Sequence, residues 1–178
     1  YYTGTKTATV CVPPSPYTPD THIVELADEL TVDLTSGPTI LSVEQMSILF
    51  EINATKPVVI NGSGYTITFA TGAMCPGETD LNLGVQFNAG TGYAAIRTAM
   101  GSKFVLMLAF NHDGPLPGVA QITIFVGKQY AGELMEYLYY DPEICKLECE
   151  QTAVVDANGY ITVTQDHCSS YGVSRIKP

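Results

Sequence analysis

The stretch Ser42–Phe69, SVEQMSILFEINATKPVVINGSGYTITF, changes its periodicity half-way along, and the fold class turns on that change. Ser42 is a good N-cap, and Gln45 three residues later completes a capping box. Val43, Met46, Ile48, Leu49 and Ile52 form a partial i, i+3, i+4 stripe, so the spacing predicts one short α-helix over 43–53 with a face on a sheet. Pro57 then fixes φ and removes a donor, and the period drops to two. VVI, NGSG and YTITFAT read as a hairpin with Tyr65, Ile67 and Phe69 on one face.

Working outward, strand patterns dominate. Thr5–Val12 alternates with Ala8, Val10 and Val12 on one side, and the four prolines of PPSPYTPD demand an extended linker. HIVELADELTVDL alternates again, as two strands or one bent one, with Leu30, Val32 and Leu34 sharing a face. From Leu81 the segments LNLGVQF, FVLMLAF, QITIFVG, LMEYLYY, KLECEQTAVV, YITVTQ and YGVSRI are separated by turn-rich stretches such as NHDGPLPG, DPEIC and DANG. Phe104–Phe110 is apolar on both faces, as in a strand covered on both sides. Roughly nine to eleven strands with a single helix predict a mainly β protein, a two-sheet antiparallel β-sandwich of jelly-roll or Ig-like type. Residues 1–20 read as an N-terminal strand and Pro-rich linker, and 21–178 as the sandwich module.

A chain of 178 residues suits one domain with a real core. Eighteen acidic against eight basic residues give a net charge of −10, a field that repels phosphate backbones, so nucleic acid is not an expected partner. No apolar run reaches the roughly 20 residues that span a bilayer, so membrane insertion is not expected either. The start, YYTGTKTATV, reads as a segment of something longer. A monomer is the expected state.

With the elements placed, THIVELADELTV, the capped helix and hairpin of Ser42–Phe69, TDLNLGVQFN, FNHDGPLPGVAQITIFVGKQYAGELMEYLYYDPE and VVDANGYITVTQDHCSSYGV resemble a known kind of module. It is a β-sandwich module of large extracellular proteins of Gram-positive gut and rumen clostridia, found beside cohesin, dockerin or carbohydrate-binding modules in cellulosome-like surface proteins. The resemblance covers about Thr21 to Val173. It implies an extracellular or cell-surface bacterial setting with neighbouring scaffold modules. Where that pattern has Gly in the hairpin matching DPEICKLE, this chain has Cys145; where its closing element resembles THASDY, this chain has DHCSSY, so Asp166 departs as well. An obligately anaerobic setting would leave all five cysteines reduced.

The chemical candidates follow from residue types. Cys145, Cys149 and Cys168 with His167 can be drawn as a Cys3His zinc site, but paired CxxC spacing is missing. Disulfides such as Cys145 or Cys149 with Cys168, or Cys11 with Cys75, are alternatives, although five cysteines leave one over. His167 and Cys168 are strand neighbours whose side chains point to opposite faces, which argues against a nucleophile pair. No hydrolase elbow, zinc-protease helix or phosphate loop is present, and the acids sit in no hydrolytic motif, so an enzyme is not expected. DANG (Asp156, Asn158) and NHDG (Asn111, Asp113) offer oxygen ligands, and a structural calcium between loops is the alternative to plain turns. No other cofactor is implied. Two sequons, at Asn53 and Asn61, matter only in a eukaryotic secretory route. Aromatic faces stack on pyranose rings while amides and carboxylates bond hydroxyls. Tyr137 and Tyr139, on one face of their strand, with Tyr93 and Tyr130 near loops, are therefore the expected glycan contacts. The expected function is a non-catalytic extracellular module that binds plant-type polysaccharide or aids adhesion to it. The alternative is a structural spacer or protein-interaction module of a cell-surface scaffold.

Overall fold

Alternating apolar residues become strands wherever both partners are at hand, and the computed structural model, which describes the backbone of Thr7–Cys11 and residues 27–177, is accordingly mainly β. Its strands are β1 (Thr7–Cys11), β2 (Glu29–Asp33), β3 (Ile40–Leu41), β4 (Val58–Gly62), β5 (Tyr65–Phe69), β6 (Leu81–Asn82), β7 (Val85–Phe87), β8 (Phe104–Phe125), β9 (Leu134–Asp141), β10 (Lys146–Val154) and β11 (Tyr160–Arg175). Among the described residues the α-helices are α1 (Val43–Asn53) and α2 (Tyr93–Met100). The hydrogen-bonded order of the main sheet is β1-β2-β4-β5-β8-β11-β9-β10, with β7 on β8, and β3 pairs with β6 in a second sheet. The linker predicted over 13–20 lies outside the described residues.

The chain divides into two compact units. The first holds residues up to Gly84 together with Pro115–Ile122 and Thr164–Asp166. Here the helix forms as the sequence predicts. The Ser42 hydroxyl accepts from the Gln45 amide at 3.2 Å, the Gln45 side chain accepts from the Ser42 amide at 2.9 Å, and the Asp80 carboxylate accepts from Val43 N at 2.9 Å. Met46, Leu49 and Asn53 are its buried residues. The hairpin also forms: Gly62 pairs with Tyr65 across a two-residue turn in which Gly64 takes φ 83°. Tyr65, Ile67 and Phe69 all face inward beside Val58 and Ile60.

Three expectations fail. The sheet is not purely antiparallel, because β1 pairs with β2 and β2 with β4 in parallel. Parallel neighbours need a crossover of about a dozen residues, and α1, lying between β2 and β4 in the chain, supplies it. The second correction concerns helix number: α2 follows Gly90 and Gly92 and ends at Gly101, all at positive φ, so the glycines mark its boundaries where the sequence reading saw only loop. The third concerns NHDGPLPG, which lies inside the long strand β8 rather than in a turn, whereas His167 and Cys168 are strand neighbours in β11 as expected. Gly114 (φ 145°) and Gly118 (φ 126°) carry β8 past Pro115 and Pro117, whose missing donors a central ladder would not tolerate without such adjustment.

One buried side chain closes the first unit. The Asn53 carboxamide, 1% exposed, donates to the carbonyls of Lys56 (3.0 Å), Phe69 (3.3 Å) and Ala70 (3.0 Å), and its oxygen accepts from Met74 N at 2.9 Å. It joins the end of α1 to the end of β5 and the loop beyond. Asn53 is also the first residue of a sequon, and its amide is enclosed by these bonds.

The second unit comprises Val85–Gly114, Thr123–Val163 and residues from His167 onward. β9 is its central strand. Lys146–Val154 pairs antiparallel on one side with a register shift between Cys149 and Gln151, and Tyr171–Arg175 pairs antiparallel on the other. The DANG turn is therefore not a hairpin, since β10 and β11 are separated by β9. α2 covers one face, where Ile96 and Met100 pack with Met107 and Tyr140. A Cβ at Gly172 would run into the Met100 methyl and lie 3.1 Å from Ile96 Cγ2.

Replacing Asn53 by Ala removes the partner of the buried Met74 amide and a donor to the carbonyls of Lys56, Phe69 and Ala70, of which the Phe69 bond is buried. Urea denaturation is expected to report a loss of about 2–4 kcal/mol, with Asp no better, because it lacks the NH2 donors and brings in a charge. A loss under about 0.5 kcal/mol would show that the network contributes nothing net.

Candidate functional site

A strand places residues two apart on the same face, and β9 does this with Tyr137 and Tyr139 as the sequence predicts. That face is the interior. Tyr137 is 0% exposed and stacks on Tyr171, with ring centroids 4.7 Å apart and planes at 9°. Tyr139 is half-buried, tilted at 57° against the same Tyr171 ring at 5.9 Å, and Phe110 meets Tyr171 edge-on at 6.0 Å. The Tyr171 hydroxyl donates to the His167 carbonyl at 2.9 Å. Burial pushes the Tyr137 phenol well above its ordinary value, reinforced by Tyr171, Cys168 and Glu150. A ring with no exposed surface cannot stack on a sugar, so Tyr137 is a core residue.

Tyr130 and Tyr93 are half-buried, each with a guanidinium beside it. Arg175 lies over the Tyr130 ring at 5.6 Å and makes a two-pronged ion pair with Glu133, Nε to Oε2 at 2.9 Å and Nη2 to Oε1 at 3.1 Å. Arg97, exposed on α2, donates from Nη1 to the Tyr93 hydroxyl at 2.9 Å and lies 5.8 Å from the centroid of Phe104. Tyr93 and Phe104 meet edge-on at 6.1 Å. Because Tyr93 and Arg97 are one helical turn apart, the pairing follows from α2 itself.

The proposed calcium ligands are all exposed: Asn111 and Asp113 lie on β8, Asp156 and Asn158 on the DANG turn. Asp156 uses its carboxylate on its own turn, accepting from Asn158 N at 2.8 Å and Tyr160 N at 3.0 Å. This is the local bonding that makes Asp a turn residue. Among the described residues no three His, Cys, Asp or Glu side chains converge as metal ligands, and the Cys3His arrangement is not assembled.

The cysteines differ in surroundings. Cys75, Cys145 and Cys149 are exposed free thiols, and Cys168 is a buried free thiol; the side chain of Cys11 lies outside the described residues. Burial and then the Asp113 carboxylate push Cys168 up to about 12, so at neutral pH it is protonated and behaves as a small apolar residue. His167 next to it is exposed, so the pair does not work together. Cys145 sits in the turn after β9 at φ 52°, a conformation that favours Gly.

Among the described residues, the aromatic pair with most access to solvent was not anticipated. Phe125 ends β8 at 43% exposure, Tyr160 opens β11 at 36%, and their rings meet at 5.2 Å and 61°. Thr123 and Thr162 lie alongside with hydroxyls 3.2 Å apart. Alternation in QITIF and YITVT put all four on the outward side; which strands neighbour one another was the missing information. No family model matches this chain, and no curated protein matches it.

Tyr137→Ala is expected to cost about 3–5 kcal/mol in urea denaturation, as large aromatic deletions in a packed core do. Mass-spectrometric mapping of thiol alkylation at pH 8 should find Cys168 unmodified until the chain is unfolded. The raised Cys168 value also fixes a sign. Its contribution to stability is complete below the unfolded thiol pKa near 9 and falls as pH rises toward about 12, and Cys168→Ala should flatten that decline. Cys145→Gly relieves a left-handed residue worth about 1 kcal/mol and loses part of that gain to unfolded-chain entropy, so its melting temperature should equal or exceed that of the parent.

Proposed function

We propose that this chain is a non-catalytic extracellular module, a two-sheet sandwich of a bacterial surface protein, that binds plant-type polysaccharide or aids adhesion to it. The observation that carries the reading is the solvent-facing Phe125–Tyr160 pair beside the Thr123 and Thr162 hydroxyls. Aromatic rings supply the apolar surface that pyranose C–H groups pack on, and hydroxyls supply orienting hydrogen bonds. The glycan contacts move accordingly from Tyr137 to Phe125 and Tyr160. The sandwich reading draws on the mainly β content and on the second, two-stranded sheet formed by β3 and β6.

A second reading has its own observation. β10 is the last strand of the sheet, nine residues long and largely exposed, and an open edge can accept a strand from another protein. That favours the spacer or interaction module of a scaffold. The bulge between Cys149 and Gln151, with Glu148 and Glu150 beside it, weighs against it as the kind of feature that protects edges.

Affinity electrophoresis through gels containing xylan, glucomannan, cellulose derivatives, starch or pectin separates the two. Retardation by one polymer, weakened about tenfold in Phe125→Ala or Tyr160→Ala, is the expected result, since stacking contributes about 1 kcal/mol beyond area. Retardation by none transfers the assignment to the spacer.

A further inference from the structure

The molecule contains two arginines, and each lies on an aromatic ring. Arg175 sits over Tyr130 and closes a two-pronged contact on the Glu133 carboxylate. Arg97 sits over Phe104 and is steadied by Tyr93, but among the described residues it has no carboxylate partner. Among the described residues only its Nη1 donates a hydrogen bond, so Nε and Nη2, the atoms Arg175 uses on Glu133, are without a protein acceptor on an exposed side chain.

We propose that Arg97, Tyr93 and Phe104 form a binding subsite for the carboxylate of a uronic-acid residue in an acidic polysaccharide. The inference rests on the polysaccharide-binding reading and names the ligand class. A guanidinium fork matches a carboxylate in two parallel hydrogen bonds, and its hold on Tyr93 lowers the entropy lost on binding. The Tyr93 hydroxyl accepts from Arg97, so its own proton can be given to the ligand. The edge-on Tyr93–Phe104 pair, both half-buried, offers apolar surface for the sugar ring.

The distribution of charge supports an anionic ligand here despite a total of −10. Between Asp80 and Asp113 the chain carries no acid and two cations, Arg97 and Lys103, and Lys103 is exposed immediately before Phe104. At physiological salt the screening length is about 8 Å, so acids beyond that distance from Arg97 act only weakly on an arriving carboxylate. A long phosphate backbone, which needs many cations in a row, is not favoured by two.

The test compares electrophoresis of the whole chain through polygalacturonate, poly-glutamate and neutral xylan or glucomannan. Retardation by polygalacturonate exceeding that by poly-glutamate is expected, weakening at 0.5 M NaCl by roughly the one ion pair involved. Arg97→Gln should reduce it about tenfold, Arg97→Lys less, and Lys128→Gln not at all. Arg97 is exposed, so the variants should keep the parental circular dichroism, and Tyr93→Phe, which deletes only a hydroxyl, should weaken binding with the fold unchanged. Equal retardation by poly-glutamate overturns the sugar assignment. Retardation by a neutral polymer with none by polygalacturonate, or polygalacturonate binding untouched by Arg97→Gln, overturns the subsite and leaves polysaccharide binding standing. Retardation by no polymer removes both.

Discussion

The Tyr171–Gly172 dipeptide sets the arrangement of the second unit. Successive strand residues face opposite ways, so Tyr171 goes to one side and the bare glycine to the other. On the first side the Tyr171 ring stacks on Tyr137, touches Tyr139 and Phe110, and takes up the space between β9 and its neighbours. On the other side nothing projects from Gly172, and Met100 and Ile96 of α2 come down onto the backbone. A helix held that close must turn its opposite face outward. Arg97, about 100° round the helix from Ile96, lies on the flank of α2, where it reaches Tyr93 and Phe104 at the margin of that packing.

The parts of the fold legible in the sequence were those whose cause is local. Ser42 and Gln45 lie three residues apart, and their reciprocal hydrogen bonds need nothing from the rest of the chain. The β4–β5 hairpin needs only a glycine able to take positive φ between two alternating runs. Parallel pairing of β2 and β4 is a long-range event, signalled only by a helix placed between two strands, and a composition full of strands and turns outweighed it. α2 failed for a different reason: eight residues between glycines carry too little periodicity to outweigh the loop character of NAGTG and GSK.

The candidate site divides the same way. Alternation correctly put Tyr137 and Tyr139 on one face, but β9 carries apolar and aromatic residues on both sides and is covered on both, and the pattern does not say which rings keep contact with solvent. Phe125 and Tyr160 are 35 residues apart and become neighbours only because β8 and β11 are adjacent, which no local pattern encodes. Arg97 with Tyr93 was readable in principle, four residues apart, once a helix is recognised there.

The cysteines of Asp141–Val173 follow from topology. In the sequence Cys145, Cys149 and Cys168 crowd together, and had β10 and β11 formed a hairpin the last two would have lain on adjoining strands. Instead the chain crosses over after Val154, and β9 lies between them. Two inter-strand spacings are about 9–10 Å, and Cys168 precedes the first β11 residue paired with β9, so the thiols are displaced along the strands as well. A disulfide needs Cα atoms within about 7 Å, and a zinc ion needs all its sulfurs within about 2.3 Å of one point. Neither condition is met across an intervening strand. Each thiol therefore takes its character from its own surroundings: Cys145 from a strained turn, Cys149 from an exposed edge strand, Cys168 from a buried position on the interior strand β11 that keeps its proton.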